Sequence, residues 1–123
     1  MKRIMIVDDD PAIREVLSFN LSSRGYDVSH FSNGADAIES AMQVHPDIIL
    51  LDVIMPDIDG WEVCKIIKDH FDDESVKVVI LTARNTDRDR MIGKAILKAD
   101  EYLTKPFDLD ELYALLKRLS GEI

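Results

Sequence analysis

Along the chain, short unbroken apolar runs alternate with stretches in which apolar residues recur every three or four positions. Ile4–Val7, Ile48–Leu51 and Val78–Leu81 are continuous and β-prone. Continuity, rather than alternation, is what a strand shows when helices cover both of its faces. Val28–Phe31 and Tyr102–Thr104 are weaker patterns and are read as the remaining strands. Between them, Ile13, Val16, Leu17 and Leu21 fall at helical spacing, as do Ile38, Ala41 and Met42. Val63, Cys64, Ile66 and Ile67 make a third stripe, and Leu109, Leu112, Tyr113, Leu116 and Leu119 a last and clearest one.

The punctuation agrees with this division. Asp10 before Pro11 is an N-cap followed by proline at the first helical position, and Gly25 suits the end of the same helix. Asp108 with Glu111 three residues on reads as a capping box for the final helix. The stretch 84–98 is expected to hold a fourth helix, with an Arg/Asp-rich start. Five strands alternating with five helices predict an α/β fold built on one doubly wound, five-stranded parallel sheet with right-handed crossovers.

Composition narrows the partners more than the fold. The 123 residues suit one domain, 1–123, with a real core. A net charge of −9 without a cluster of Lys and Arg argues against direct nucleic-acid binding and fits a site that attracts a cation. No apolar run approaches the ~20 residues of a membrane span. The apolar start is too short for a signal peptide and runs straight into acids, so a cytoplasmic protein without a membrane partner is expected. The single cysteine, Cys64, fits a reducing compartment and sits on an apolar stripe.

The predicted topology concentrates chemistry at one place. Open parallel sheets bind ligands beyond the carboxyl ends of their strands. There the first strand ends in Asp8-Asp9-Asp10, the third in Asp52, the fourth in Thr82 and the fifth runs into Lys105-Pro106. Clustered carboxylates repel one another unless a cation intervenes. Magnesium answers that need with oxygen ligands, typically one or two carboxylates, waters and a phosphate. With Lys105 as a second positive centre and Thr82 as a hydroxyl donor, the set suits phosphoryl transfer onto Asp52, which depends mainly on positioning and charge stabilisation.

Taken singly, each residue has a plainer explanation. An acidic triplet is commonly a solvated turn, Asp10 serves as the helix N-cap, and Asp52 before a loop is an ordinary capping residue. Thr82 alone is a strand-end hydroxyl and Lys105 alone a surface lysine. Their occurrence at the same end of four different strands favours the functional reading. His30, His45 and His70 lack metal-ligand spacing, and the mixed-sign run 84–90 reads as a solvated helix start. Trp61 fits either packing or a contact surface.

These pieces, in order, resemble the receiver domains of two-component response regulators, including chemotaxis-regulator-like members. The matching segments are Ile6-Val7-Asp8-Asp9-Asp10-Pro11, Leu50-Leu51-Asp52-Val53-Ile54-Met55-Pro56 with Asp59-Gly60, Leu81-Thr82-Ala83-Arg84, and Tyr102-Leu103-Thr104-Lys105-Pro106-Phe107. The resemblance covers essentially the whole chain. It implies the flavodoxin-like strand order 2-1-3-4-5 and phosphorylation of Asp52 by a sensor histidine kinase or phosphotransfer protein. It further implies Mg2+ held by Asp9, Asp52 and the backbone carbonyl of Ile54, with Asp8 acting through water. Thr82 and Tyr102 would form a switch pair, and Lys105 would contact the phosphoryl group beside a cis bond to Pro106. Output would pass to a downstream protein or output domain, with phosphorylation-dependent homodimerisation as a further implied contact. No enzymatic turnover is expected beyond self-catalysed phosphotransfer and slow autodephosphorylation, since apolar Ile54, two residues after the acceptor, cannot orient an attacking water. Arg84 occupies the corresponding place after Thr82.

The chain departs from the family pattern in the spacing from Thr82 to Lys105, one residue longer than usual. Lys98 also stands where a glycine normally ends the fourth helix. Three other readings compete. An aspartyl-phosphate-forming phosphatase would carry a second acid where Ile54 stands. A flavodoxin-like cofactor binder would need a phosphate-cradling loop after the first strand. A phosphorylation-independent, receiver-like adaptor would not need the full acidic set.

Overall fold

The computed structural model describes residues 2–71, 75–82 and 99–121, with Thr82 described by its backbone. The strands are β1 (Arg3–Val7), β2 (Asp27–Phe31), β3 (Ile48–Asp52), β4 (Lys77–Thr82) and β5 (Glu101–Thr104). Among the described residues the helices are α1 (Pro11–Ser23), α2 (Gly34–Val44), α3 (Gly60–His70) and α4 (Leu109–Ser120). The further helix expected over 84–98, including Arg84 and Lys98, lies outside the described residues. All strand pairs are parallel, in the flavodoxin-like order β2-β1-β3-β4-β5.

Because successive side chains point to opposite faces of a sheet, each continuous apolar run divides between two cores. Met5, Val7, Ile49, Leu51, Val78 and Ile80 face α2 and α3, where Ala37, Ala41, Val63, Cys64 and Ile67 meet them. Ile4, Ile6, Ile48, Leu50, Val79 and Leu81 face the other way, onto Leu17 and Leu21 of α1 and Leu112, Leu115 and Leu116 of α4. Cys64 is core, as expected, and burial pushes its thiol up to about 12. Val16 corrects the α1 stripe: it is 52% exposed, because the line through Ile13, Leu17 and Leu21 already covers the sheet.

The ends of the helices follow their sequence signals. Asp10 caps α1 by accepting from the Ala12 N–H at 2.9 Å. At the other end Gly25, at φ 93°, lets Tyr26 N–H reach the Leu21 carbonyl and its own N–H reach Ser22. This paired closure is available to a glycine at little cost. Asp108 caps α4 through the Glu111 N–H at 2.7 Å. The crossovers through α1, α2 and α3 bring the chain back over the sheet so that the next strand runs parallel, and these helix starts therefore gather beside the carboxyl ends of the strands.

Candidate functional site

β1 and β3 are neighbours, with Val7 opposite Leu51, so the residues that follow them emerge side by side. Asp8 is fully buried. One of its oxygens accepts from the Asp10 N–H at 2.9 Å and the other from Lys105 Nζ at 2.8 Å. Its carbonyl accepts from Arg14 Nη1 at 2.7 Å, a contact from α1 that also fixes this turn. Asp9 is exposed and Asp52 buried, and carboxylate oxygens of Asp8, Asp9 and Asp52 all lie within 4.8 Å of one another. Lys105 Nζ also stands 3.4 Å from Asp52 Oδ1, so one ammonium is shared by two carboxylates.

Among the described residues, Lys105 is the cation paired with these carboxylates, which number three. Burial raises the Asp52 carboxyl above the usual range, and the charge of Asp8 adds to the effect, against the lowering pull of Lys105. Burial works to lower Lys105, yet the hydrogen bond and charge of Asp8, with the charge of Asp52, outweigh it and hold the ammonium above its ordinary value. Such a set fits a hard divalent cation, which takes oxygen ligands and relieves the repulsion.

The remaining predicted residues take these places. Thr82 is the last residue of β4, in register with Thr104 of β5, and Leu81 is opposite Asp52. Tyr102 lies on β5 with its hydroxyl buried, packed against the α2–α3 side of the core. Its ring is tilted against Trp61 at 6.1 Å between centroids, so Trp61 is a packing partner of the expected switch residue. The Lys105–Pro106 peptide bond is cis, as the resemblance implied. Ile54, in the loop joining β3 to α3, has its side chain 64% exposed. His30, His45 and His70 are all exposed, and the cluster of possible metal ligands is made of Asp8, Asp9 and Asp52 without them.

Two residues near the site carry more than their sequence context suggests. A Cβ on Gly60 would fall on the Asp52 carbonyl and lie 2.8 Å from Val53 Cα, while the Gly60 N–H donates to Val53 at 2.8 Å. Glycine thus lets the start of α3 sit directly against the end of β3. Asp57 in the same loop accepts from the N–H groups of both Gly34 and Ala35 at 2.9 Å, capping α2 from outside. Its sequence setting, Met55-Pro56-Asp57, reads as a turn; nothing local points to a partner across the loop.

Comparison with known proteins agrees with this arrangement. A family model for the response regulator receiver domain matches residues 4–117. The chain is 40% identical over 119 residues to the DNA-binding dual master transcriptional regulator RpaA of Synechocystis, covering 97% of this chain and 49% of that protein. It therefore spans about half the length of that curated relative. Among solved structures, it is similar to the chemotaxis protein CheY4 of Vibrio cholerae, with a TM-score of 0.90 at 30% identity over 97% of this chain and 98% of that one. It is also similar to the response regulator TrrA of Thermotoga maritima in complex with Mg2+-BeF, with a TM-score of 0.85 at 39% identity over 97% and 99% of the two chains.

The chain belongs to the response regulator receiver domain family. This places it with the signalling switches of two-component systems rather than with turnover enzymes. Receiver domains bind magnesium at an acidic pocket, and Asp8, Asp9 and Asp52 form such a cluster here. No described helix is long and apolar enough to cross a membrane.

Proposed function

We propose that this receiver domain accepts a phosphoryl group on Asp52 and passes the signal on through a changed protein-contact surface. The observation that carries the reading is the meeting of Asp8, Asp9 and Asp52 within 4.8 Å, with Lys105 bridging two of them. The donor is a phosphohistidine of a sensor histidine kinase or phosphotransfer protein, and the setting is the cytoplasm. An Asp52 carboxylate oxygen attacks phosphorus; the new O–P bond forms as the P–N bond breaks. The electron pair leaves with the donor imidazole, which takes up a proton.

Asp9, Asp52 and the Ile54 carbonyl, with Asp8 through water, would hold a magnesium ion that neutralises charge on the phosphoryl oxygens. Asp8 holds Lys105 beside the acceptor, so a positive group is in place before the phosphoryl group arrives. Such prior placement spares reorganisation during the reaction. Lys105 then contacts the phosphoryl group, the Thr82 hydroxyl bonds to another of its oxygens, and Tyr102 follows Thr82 as the second member of the switch. A bias of a few kcal/mol between two arrangements is enough to shift their populations. Exposed, apolar Ile54 offers an incoming water no hydrogen bond, which favours a long-lived acyl phosphate.

The test is incubation with acetyl phosphate and magnesium, read by intact mass beside Asp52→Asn. A single phosphoryl adduct is expected on the unmutated protein and none on the variant. No adduct, or an equal one on Asp52→Asn, overturns the assignment, and continuous phosphate release over many turnovers favours the phosphatase.

A further inference from the structure

The loop that follows the acceptor strand also reaches the start of α2, where it covers a chemically labile peptide bond. Asn33 is followed by Gly34. In water, an asparagine before glycine is prone to lose its side-chain amide, because glycine has no side chain to hinder attack by its own backbone nitrogen.

Packing accounts for both residues. Gly34 is buried, and a Cβ there would stand 2.8 Å from Val63 Cγ2 and 3.3 Å from Ile58 Cβ, so a larger residue would push on α3 and the loop. Asn33 is the N-cap of α2. Its Oδ1 accepts from the Asp36 N–H at 2.9 Å and its Nδ2 donates to Asp36 Oδ2 at 3.0 Å. Aspartate in its place would lose the donor and set two carboxylates against each other. The fold thus calls for a neutral amide followed by a residue without a side chain.

The attacking atom is restrained as well. Gly34 N–H donates to Asp57 Oδ1 and Ala35 N–H to Asp57 Oδ2, both at 2.9 Å. We propose that Asn33–Gly34 is a latent site of spontaneous deamidation, held shut by the Asp57 carboxylate. The reaction needs Gly34 N to lose its proton to solvent and bond to Asn33 Cγ. Nδ2 then leaves as ammonia after taking a proton from solvent, closing a succinimide ring. One water opens that ring at either carbonyl, giving aspartate or an isoaspartyl linkage at position 33.

Asp57 opposes the first step twice. It keeps the nitrogen in the helical geometry of α2, and its negative charge disfavours the amidate anion that must form beside it. The bonds from Gly34, then Ala35 and Ile58, hold the Asp57 carboxyl down to about 2, so the guard stays ionised at neutral and mildly alkaline pH, where ring closure runs. Either product weakens the cap, although aspartate can still accept the Asp36 N–H. Aspartate loses the bond to Asp36 Oδ2, and the isoaspartyl linkage adds a carbon to the backbone.

The protein and Asp57→Ala are incubated at mildly alkaline pH, and conversion at residue 33 is followed by peptide mass spectrometry with isoaspartyl detection. Losing a charge-assisted bond to the nitrogen should speed conversion at Asn33 by about tenfold or more while circular dichroism shows the variant folded. The unmutated protein in urea is also expected to convert much faster than when folded. Equal rates for the folded protein and its folded Asp57→Ala variant overturn the proposal, as do equal rates for the protein folded and in urea. If Asp57→Ala does not fold, Asp57→Asn, which keeps a neutral acceptor, is expected to give an intermediate rate, and an unchanged rate overturns the assignment to Asp57.

Discussion

Lys68 is a lysine on the buried face of a helix, and removing its charge tests how the far end of the sheet is held. Its side chain is 2% exposed. Nζ donates to the Val76 carbonyl at 2.7 Å and pairs with Asp100 Oδ2 at 2.7 Å. The same oxygen accepts the Val78 N–H at 2.7 Å, and the Asp100 N–H returns to the Val78 carbonyl at 2.9 Å. One ammonium therefore links α3 to the beginnings of β4 and β5. Lys68→Met keeps the length of the side chain and removes the charge, leaving Asp100 without this cation and Val76 without this donor. Breaking a buried pair by deleting one member typically costs 3–5 kcal/mol. Asp100 is 19% exposed and keeps the Val78 N–H, so the lower end applies, about 3 kcal/mol. With a urea dependence of about 2 kcal/mol per molar, the unfolding midpoint should fall by roughly 1.5 M. Asp100→Asn strands the ammonium instead and should also destabilise, while the double variant should lose less than the sum of the two. Urea unfolding followed by circular dichroism, without magnesium, measures all three. A loss below about 1 kcal/mol for Lys68→Met, or strict additivity, would refute a coupled buried pair.

Three further outcomes follow from the site. Gly60→Ala should destabilise by about 2–3 kcal/mol in the same unfolding assay, because its Cβ falls on the Asp52 carbonyl; a neutral change would mean that α3 is not seated against β3. Asp52→Asn should raise the thermal midpoint in EDTA, since the fold disfavours the ionised carboxylate, and saturating magnesium should shrink the difference; a lower midpoint in EDTA contradicts the crowding. Asp57 has a folded value near about 2, below its ordinary 3.8, so its contribution is complete above the ordinary value and is lost as pH falls through the folded one. Acid unfolding between those limits should be steeper than for Asp57→Asn, and identical profiles would remove Asp57 from the linkage.

The framework and the meeting of Asp8, Asp9, Asp52 and Lys105 could be read from the chain because both rest on local patterns that topology then assembles. Ile48–Leu51 must be a strand covered on both faces, whatever its neighbours are, and Asp52 ends it. Asp8 and Lys105 needed only the rule that parallel strands deliver their carboxyl ends to one edge. What escaped depends on partners distant in sequence. Lys68 follows the apolar residues of its stripe, where a lysine ordinarily reads as the solvated margin, and only the placement of Asp100 turns it inward. Asp57 reads as a turn residue until α2 is laid across the loop. Val16 has the right period but the wrong phase: with Pro106 and Phe107 it lines an open groove of about 490 Å³ between α1 and the residues after β5.

The two ends of the sheet are built to respond differently to charge. At the amino end, Lys68 pairs with Asp100 and donates to the Val76 carbonyl, and Asp100 Oδ2 also takes a backbone N–H. At the carboxyl end Lys105 is divided between Asp8 and Asp52, and Asp9 adds a further acid to the cluster. Burial raises Asp52 and the charge of Asp8 adds to it, so a divalent cation at this edge would relieve the repulsion. A ligand shifts a conformational equilibrium only by its difference in affinity for the two states. The crowded acids at the carboxyl edge let a cation act at one end of the sheet, while the Lys68–Asp100 pair joins α3 to the starts of β4 and β5 at the other.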